Sequence, residues 1–187
     1  MATKPRCIII TGRPGSGKNT LATKLARVLW MPLVSRDEIK EGYVNTFGVK
    51  HDDLPPEANA RATEMFFELV HQYLERQISI VIEAAFQHQV WKPRVETIAE
   101  LASPLIILCS IDDAAASRRY LERGLAEPER EFYHGDNLVV HYRKTGEILP
   151  YAEWVPPDLD LPTLRVSTDG EYDPSIDEIV KHIRFAE

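Results

Sequence analysis

The stretch Arg6-Cys7-Ile8-Ile9-Ile10-Thr11-Gly12-Arg13-Pro14-Gly15-Ser16-Gly17-Lys18-Asn19-Thr20 runs an apolar strand into a glycine-rich turn, a lysine and the start of a helical pattern. A turn of this kind wraps backbone N–H groups around phosphate oxygens. Gly12, Gly15 and Gly17 supply conformations and a close approach that side chains would obstruct. Lys18 adds a mobile cation. A helix beginning near Gly17 aims its positive dipole end and its unpaired amides at the same anion. A strand that merely turned into a helix would account for the glycines and leave Lys18 unexplained. The pattern is G-x-x-x-x-G-K followed by Asn19, where Ser or Thr is usual. That hydroxyl ligates the magnesium ion bridging the terminal phosphates, so Asn19 is the candidate metal ligand through an amide oxygen on a longer side chain. Thr20 leaves the helix in a different direction and suits a phosphate contact better. The stretch thus predicts nucleotide binding by Gly12, Arg13, Pro14, Gly15, Ser16, Gly17, Lys18, Asn19 and Thr20, with metal handling as its unusual part.

After the loop, Leu21, Leu25 and Leu29 recur every four residues with Ala22, Ala26 and Val28 beside them, which predicts a helix with one apolar face. Met31 to Ser35 reads as a second strand, and Ser35-Arg36-Asp37-Glu38 has the form of a capping box for a following helix. From Gly42 to Pro56 the sequence reads as irregular. A long helix is expected after Pro55-Pro56, with Ala58, Ala62, Met65, Phe66, Leu69 and Tyr73 on one side. Ile78 to Ile82 and Leu105 to Cys109 are near-continuous apolar runs of the sort found in strands buried on both faces, the first ending at Glu83. Between them Val90 to Ala102 is helical, with Pro93 tolerated in its first turn. Asp112 caps a helix that stops at Gly124, Thr163 to Ser167 makes a fifth strand, and Asp173-Pro174 opens a closing helix with Ile176, Ile179, Val180 and Ile183 inward. Strands alternating with helices predict an α/β architecture, a parallel sheet covered on both faces.

The length of 187 residues suits one domain, 1–187, and 44% hydrophobic residues is ordinary for a globular chain. Leu125 to Pro162 breaks the alternation. Its centre, about Asp136 to Lys144, has helical character, while Pro150, Pro156, Pro157 and Pro162 favour extended or looped chain. It reads as a lid and substrate segment, spanning about 118–162 with the preceding helix end, in competition with a plain surface connection. A net charge of −7 lacks the basic footprint of a general nucleic-acid binder, although a local groove can hide inside an acidic total. Cys7 and Cys109 lie in apolar runs and read as small buried hydrophobes. Neither a signal peptide nor a membrane-spanning run is expected, which favours a cytoplasmic location.

In a parallel sheet the ligand lies beyond the carboxyl ends of the strands. Asp37 follows the second strand and Glu83 ends the third, so both can share a crevice with the glycine-rich loop. A carboxylate there accepts a hydroxyl proton or holds a metal-bound water. For Asp37 an equal alternative is a first-turn acid favoured by the helix dipole. For Glu83 a plain surface role fits poorly, because an unpaired buried charge is expensive. Arg118, Arg119 and Arg123 gather near a helix end, and Arg119 and Arg123, four apart, can both reach a nucleotide's phosphates. Arg130, Arg143 and Lys144 are secondary candidates from the lid. Tyr133, Tyr142, Tyr151 and Trp154 give that segment aromatic surface suited to enclosing an organic acceptor or stacking on a base. The six histidines lack metal-ligand spacing.

Taken together, Gly12-Arg-Pro-Gly-Ser-Gly-Lys18, Ser35-Arg-Asp37-Glu-Ile-Lys40, Ile80-Val-Ile-Glu83-Ala-Ala-Phe86, Arg119-Tyr-Leu-Glu-Arg123 and Leu164-Arg-Val-Ser-Thr168 resemble the small P-loop kinases of the zeta-toxin-like and AAA-type group. That group includes the kinase domain of bacteriophage polynucleotide kinase and chloramphenicol phosphotransferase. The resemblance implies a three-layer fold with strand order 2-3-1-4-5, ATP and Mg2+ as cofactors, and phosphoryl transfer to a hydroxyl. It further implies that Asp37 activates the acceptor, that Lys40 and Glu83 stand on the acceptor side, and that Arg119 and Arg123 belong to the lid over ATP. Asn19 departs from the group's pattern, as does Glu83-Ala84-Ala85, where some relatives carry an aspartate and further polar groups. The expected acceptor is a metabolite, nucleoside or antibiotic. A polynucleotide 5′-hydroxyl is the runner-up, and a nucleotide-dependent switch with weak transfer is a third reading. A GTPase is disfavoured because no Asn-Lys-x-Asp motif occurs.

Overall fold

A computed structural model describes residues 4–149 and 153–185. Five strands, β1 (Arg6–Gly12), β2 (Leu33–Ser35), β3 (Ile80–Glu83), β4 (Ser103–Ser110) and β5 (Thr163–Ser167), form one parallel sheet in the order β2-β3-β1-β4-β5. The expected α/β fold and strand order are both present. The sheet is buried on both faces because β1 alternates within an unbroken apolar run: Cys7 and Ile9 enter one core, Ile8 and Ile10 the other. Burial raises the thiol pKa values of both cysteines, that of Cys109 to about 12. Both are free.

Helices α1 (Lys18–Leu29) and α8 (Ile176–Phe185) cover the second face through Leu21, Leu25, Ile179 and Ile183. Helices α3 (Ala58–Glu75) and α4 (His88–Leu101) cover the first, where Phe66, Phe67, Phe86 and Trp91 meet mostly edge to face. The remaining helices are α2 (Arg36–Phe47), α5 (Asp113–Ala126), α6 (Arg130–His134) and α7 (Asn137–Thr145). They gather at the carboxyl ends of the strands, where the register brings Gly12 opposite Cys109, and Glu83 opposite both Ser35 and Ile10. Among the described residues no helix is long and apolar enough to cross a membrane.

Several local expectations are corrected. The Ser35 side chain makes no capping bond, because its hydroxyl donates instead to the buried Glu83 carboxylate at 2.9 Å, a charge-assisted bond. The segment from Gly42 is helical to Phe47; Gly42 faces open space, and the helix absorbs the roughly 1 kcal/mol a central glycine costs. The buried stripe of α3 is Ala58, Ala62, Phe66, Phe67, Val70 and Leu74, with Leu69 exposed; Val28 of α1 is exposed too. Pro93 is the sixth residue of α4, beyond its first turn. Asp112 caps α5 as expected, accepting from the amides of Ala114 and Ala115, but the helix runs past Gly124. Gly124 is there for packing: a Cβ would meet Val139 of α7 at 2.4 Å. Helix α6 carries no signal in the sequence pattern. Pro150 and Tyr151 lie outside the described residues.

Candidate phosphoryl-transfer site

The glycine-rich loop is held from outside by two elements. Gly15 has φ +81°, and a Cβ on it would lie 2.1 Å from the Ala116 carbonyl oxygen of α5, so the loop tip rests directly on that helix. The Thr168 hydroxyl, just after β5, donates to the Ser16 carbonyl at 2.7 Å. Arg13 is buried and its guanidinium pairs with Asp113. Its side chain thus braces the loop against α5, leaving its backbone for an anion. Gly17 caps α1 in a left-handed conformation, and α1 begins at Lys18 with its free amides toward the crevice.

On one side of the loop lies a cleft of about 740 Å³ lined by residues of α1 to α6 together with Phe86, Glu153 and Trp154. Lys18 and Glu83 are 6% and 1% exposed, with Lys18 Nζ 3.6 Å from Glu83 Oε1. Glu83 Oε2 accepts the Ser35 hydroxyl, while Oε1 has no hydrogen-bond partner. Burial pushes the Glu83 carboxyl above its ordinary value, against the pull of Lys18. Asp37, half-buried in the first turn of α2, also lines the cleft. Burial pushes its carboxyl up, but Lys18, His134, Arg36 and Lys40 together hold it below the usual range. Asp37 is therefore ionised at neutral pH, as a proton acceptor must be. Trp154 closes the far side, its Nε1 donating to the Ala85 carbonyl at 3.2 Å.

The cleft is cationic although the chain is acidic. Lys18, Arg36, Lys40, Arg94, Arg123 and Arg130 line it against three carboxylates, Asp37, Glu64 and Glu153. Overall charge is thus a poor guide to what this crevice attracts.

On the opposite side, a second cavity of about 580 Å³ lies between α1 and the chain joining β5 to α8, lined among others by Gly17, Thr20, Lys24, Arg119, Thr168 and Tyr172. Arg119 Nη1 donates to the Thr168 carbonyl at 2.8 Å, and its Nη2 is 3.7 Å from Asp169. Lys24 lies 4.9 Å over the Tyr172 ring. The glycine-rich loop separates the two cavities, Pro14 lining the first and Gly17 the second.

The sequence-predicted residues divide accordingly. Lys18, Asp37, Lys40 and Glu83 gather in or beside the first cleft. Arg119 and Arg123, expected to act together, part company: Arg119 lines the second cavity and Arg123 the first, where its guanidinium lies 5.6 Å over Tyr120. Arg130 lines the first cleft, 3.7 Å from Asp136. Arg118, Arg143 and Lys144 line neither, Arg143 donating to Glu131. Of the lid aromatics, Trp154 lines the cleft and Tyr133 donates to Asn45 instead. Asn19 is half-buried and its side-chain amide makes no hydrogen bond among the described residues. Lys24 and Tyr172 carry no motif signal, since their place depends on how α8 docks; Arg36 lies inside the Ser35–Lys40 stretch, and its place in the cleft depends on how α2 docks. Among the described residues no group of three or more His, Cys, Asp and Glu suits a metal ion; a loop-bound cation would lean on phosphate oxygens and on isolated ligands.

The profile of the AAA domain family matches residues 7–138. The chain is similar in structure to a candidate kinase from Chloroflexus aurantiacus, with TM-score 0.74 and 25% identity over 98% of this chain and 96% of that one. A sugar kinase from Janibacter shares the fold at TM-score 0.62 and 14% identity, covering 97% of this chain and 96% of that one. A chain of the Pnkp1/Rnl/Hen1 RNA repair complex shares it at TM-score 0.58 and 19% identity, over 86% of this chain and 54% of that one. No curated protein matches in sequence.

Proposed function

We propose that this chain, which belongs to the AAA domain family and is a P-loop kinase, moves the γ-phosphoryl group of ATP to a hydroxyl of a small organic acceptor. The observation that carries this reading is the placement of Asp37, ionised and half-buried, in the same cleft as Lys18 at the edge of the phosphate loop. ATP would lie across the loop with its nucleoside in the cavity beside Arg119 and its terminal phosphate at Lys18. Asp37 accepts the proton of the acceptor hydroxyl as its oxygen bonds to the γ-phosphorus and the bond to the ADP oxygen breaks. Lys18, Arg123 and Arg130 face the charge that develops on the transferred group.

The residues present fit a magnesium ion. Glu83 Oε1 is a buried oxygen without a hydrogen-bond partner, suited to a metal-bound water, and the Asn19 amide is uncommitted at the first turn of α1. When bound with ATP, Mg2+ neutralises charge on the terminal phosphates. The whole chain would act as one domain, with the segment 118–162 as lid.

The cationic lining gives specific support to the runner-up, a polynucleotide 5′-hydroxyl, since it supplies the local groove that the overall charge of −7 conceals. Purified protein with ATP and Mg2+ should be assayed for ADP release against sugars, nucleosides, aminocyclitols, phenicols and a 5′-hydroxyl oligonucleotide, with a no-acceptor control. Acceptor-dependent ADP release with a small compound is expected. Labelling of the oligonucleotide alone would replace the acceptor class, and nucleotide binding without transfer to any acceptor would reduce the chain to a nucleotide switch.

A further inference from the structure

Lys40 is a buried lysine that the fold leaves without a direct partner. It is 7% exposed, lines the cleft, and among the described residues makes no hydrogen bond and no ion pair. The carboxylates in its neighbourhood are engaged elsewhere. Asp136 accepts the Tyr120 hydroxyl at 2.6 Å and lies 3.7 Å from Arg130; Asp52 lies 3.6 Å from Lys50; Asp37 lies 3.6 Å from Arg36. In the same cleft lining, Arg36 and Arg123 each keep a buried Nε without a hydrogen-bond partner, while Arg36 Nη2 donates to Asn59. Burying an unpaired ammonium is expensive, and a cleft that does so three residues beyond Asp37 is built to receive an anion. The cation surplus of the lining says the same on a larger scale. A phosphate of ATP does not meet this need, because ATP is held at the loop through Lys18 and the amides of α1, while Lys40 stands on α2 a helical turn from Asp37.

Building on the phosphotransferase reading, we propose that the acceptor carries an anionic group, a carboxylate or a phosphate, seated on Lys40 and Arg36 roughly 5 Å, one helical turn, from the hydroxyl presented to Asp37. The acceptor class is thus a hydroxy acid or a phosphorylated polyol or nucleoside, and its neutral counterpart is a poor ligand. Such an anion completes the hydrogen bonding of the Lys40 ammonium and converts a charge that costs the empty protein stability into binding energy. It also fixes which hydroxyl faces Asp37, since the two groups are then held by neighbouring turns of one helix.

The test measures binding apart from transfer. The protein, loaded with Mg2+ and a non-hydrolysable ATP analogue, is titrated calorimetrically with matched pairs that differ in one anion: gluconate against sorbitol, glycerol 3-phosphate against glycerol, and a nucleoside 3′-monophosphate against its nucleoside. At least one anionic member should bind about 10- to 100-fold more tightly than its neutral partner. Lys40→Met should abolish that difference while leaving affinity for the ATP analogue unchanged, and Lys40→Arg should restore part of it. The carboxylate and phosphate arms distinguish the two sources of charge. Equal binding within every pair, binding of no anionic member, or a preference that survives Lys40→Met would overturn the inference. Failure of the phosphotransferase reading looks different: the anionic ligand binds through Lys40, yet wild-type protein with ATP releases no ADP in its presence.

Discussion

The two cavities flanking the phosphate loop are built on opposite principles. On the Arg119 side the polar groups are largely satisfied within the protein: Arg119 donates to the Thr168 carbonyl, Thr168 donates to Ser16, and Lys24 sits over Tyr172. On the Asp37 side, Glu83 Oε1 and the Nε atoms of Arg36 and Arg123 are buried without hydrogen-bond partners, and Lys40 is buried without an ion pair. A satisfied cavity can hold its shape empty. An unsatisfied one stores desolvation cost that a ligand or transition state relieves, which supports placing the proposed chemistry on the Asp37 side.

If that contrast is right, substitutions on the two sides separate turnover from nucleotide affinity. Asp37→Asn should lower kcat by roughly 10²–10⁴-fold and leave ATP affinity close to that of the parent. Steady-state kinetics beside a calorimetric ATP titration decide it, and a folded variant with parental turnover would reduce Asp37 to a first-turn acid. Lys18 sits where the two sides meet, so Lys18→Met should fail on both counts. Loss of about 10²–10³ in kcat/KM for ATP is expected from removing one cation aimed at the transferred phosphate, together with weaker ATP binding in the titration. Unchanged ATP affinity in that variant would remove the loop from the site.

Arg119→Met probes the satisfied side alone. Taking away a charged hydrogen-bond donor there should weaken ATP binding by about 10-fold while leaving the KM of the acceptor unaltered. A rise in acceptor KM instead would show that Arg119 and Arg123 act in one place after all.

How much of this was legible in the sequence follows the same divide. The loop, the two-sided strands, the carboxylate after β2 and the one ending β3 could be placed because local chemistry dictates them: Ile8 to Ile10 must be buried, and Glu83 stops the run at the crevice. What escaped depends on partners distant in the chain. Helix α6 has five residues and is held by Lys50 to Glu131 and Glu41 to His134, pairs 81 and 93 residues apart. Helix α2 has two buried residues, Lys40 and Val44, so no apolar period marks it. The Ser35 hydroxyl left its capping role for a carboxylate 48 residues away. The parting of Arg119 and Arg123 came from docking: one arginine is drawn to the Thr168 carbonyl, and the other rests against Tyr120 within the same helix.

Asn19 lies in the first turn of α1, directly after the loop that separates the two cavities, and sharpens the comparison from the metal's side. A short hydroxyl places its oxygen where an octahedral ion requires it, whereas an amide must adjust. Asn19→Ser should therefore lower the Mg2+ concentration for half-maximal activity by a few-fold with ATP affinity in the absence of metal unchanged. Coincident magnesium titrations of parent and variant would show that the amide already ligates well or that Glu83 carries the ion through water.

The smallest effect is in stability, and it tests whether the Asp37 side really stores cost. Burial, then the Arg36 charge, lowers the Lys40 pKa from 10.5 to about 8, with Asp37, Asp136 and Asp52 opposing the shift and His51 also nearby. In the folded protein Lys40 thus loses its proton near pH 8, and in the unfolded chain near 10.5. Between those values the unfolded chain binds the extra proton, so this residue's contribution makes stability rise with pH across the window, after costing its full amount below pH 8. Lys40→Met removes the buried charge at similar length and should stabilise the ligand-free protein by about 1 kcal/mol, a melting temperature higher by about 2–4 °C. The gain should be largest at neutral pH and shrink as the parent's lysine deprotonates. A variant that melts lower than the parent at pH 7, or whose advantage does not change with pH, would mean that the Lys40 charge is compensated inside the fold, and the two cavities would then no longer differ in kind.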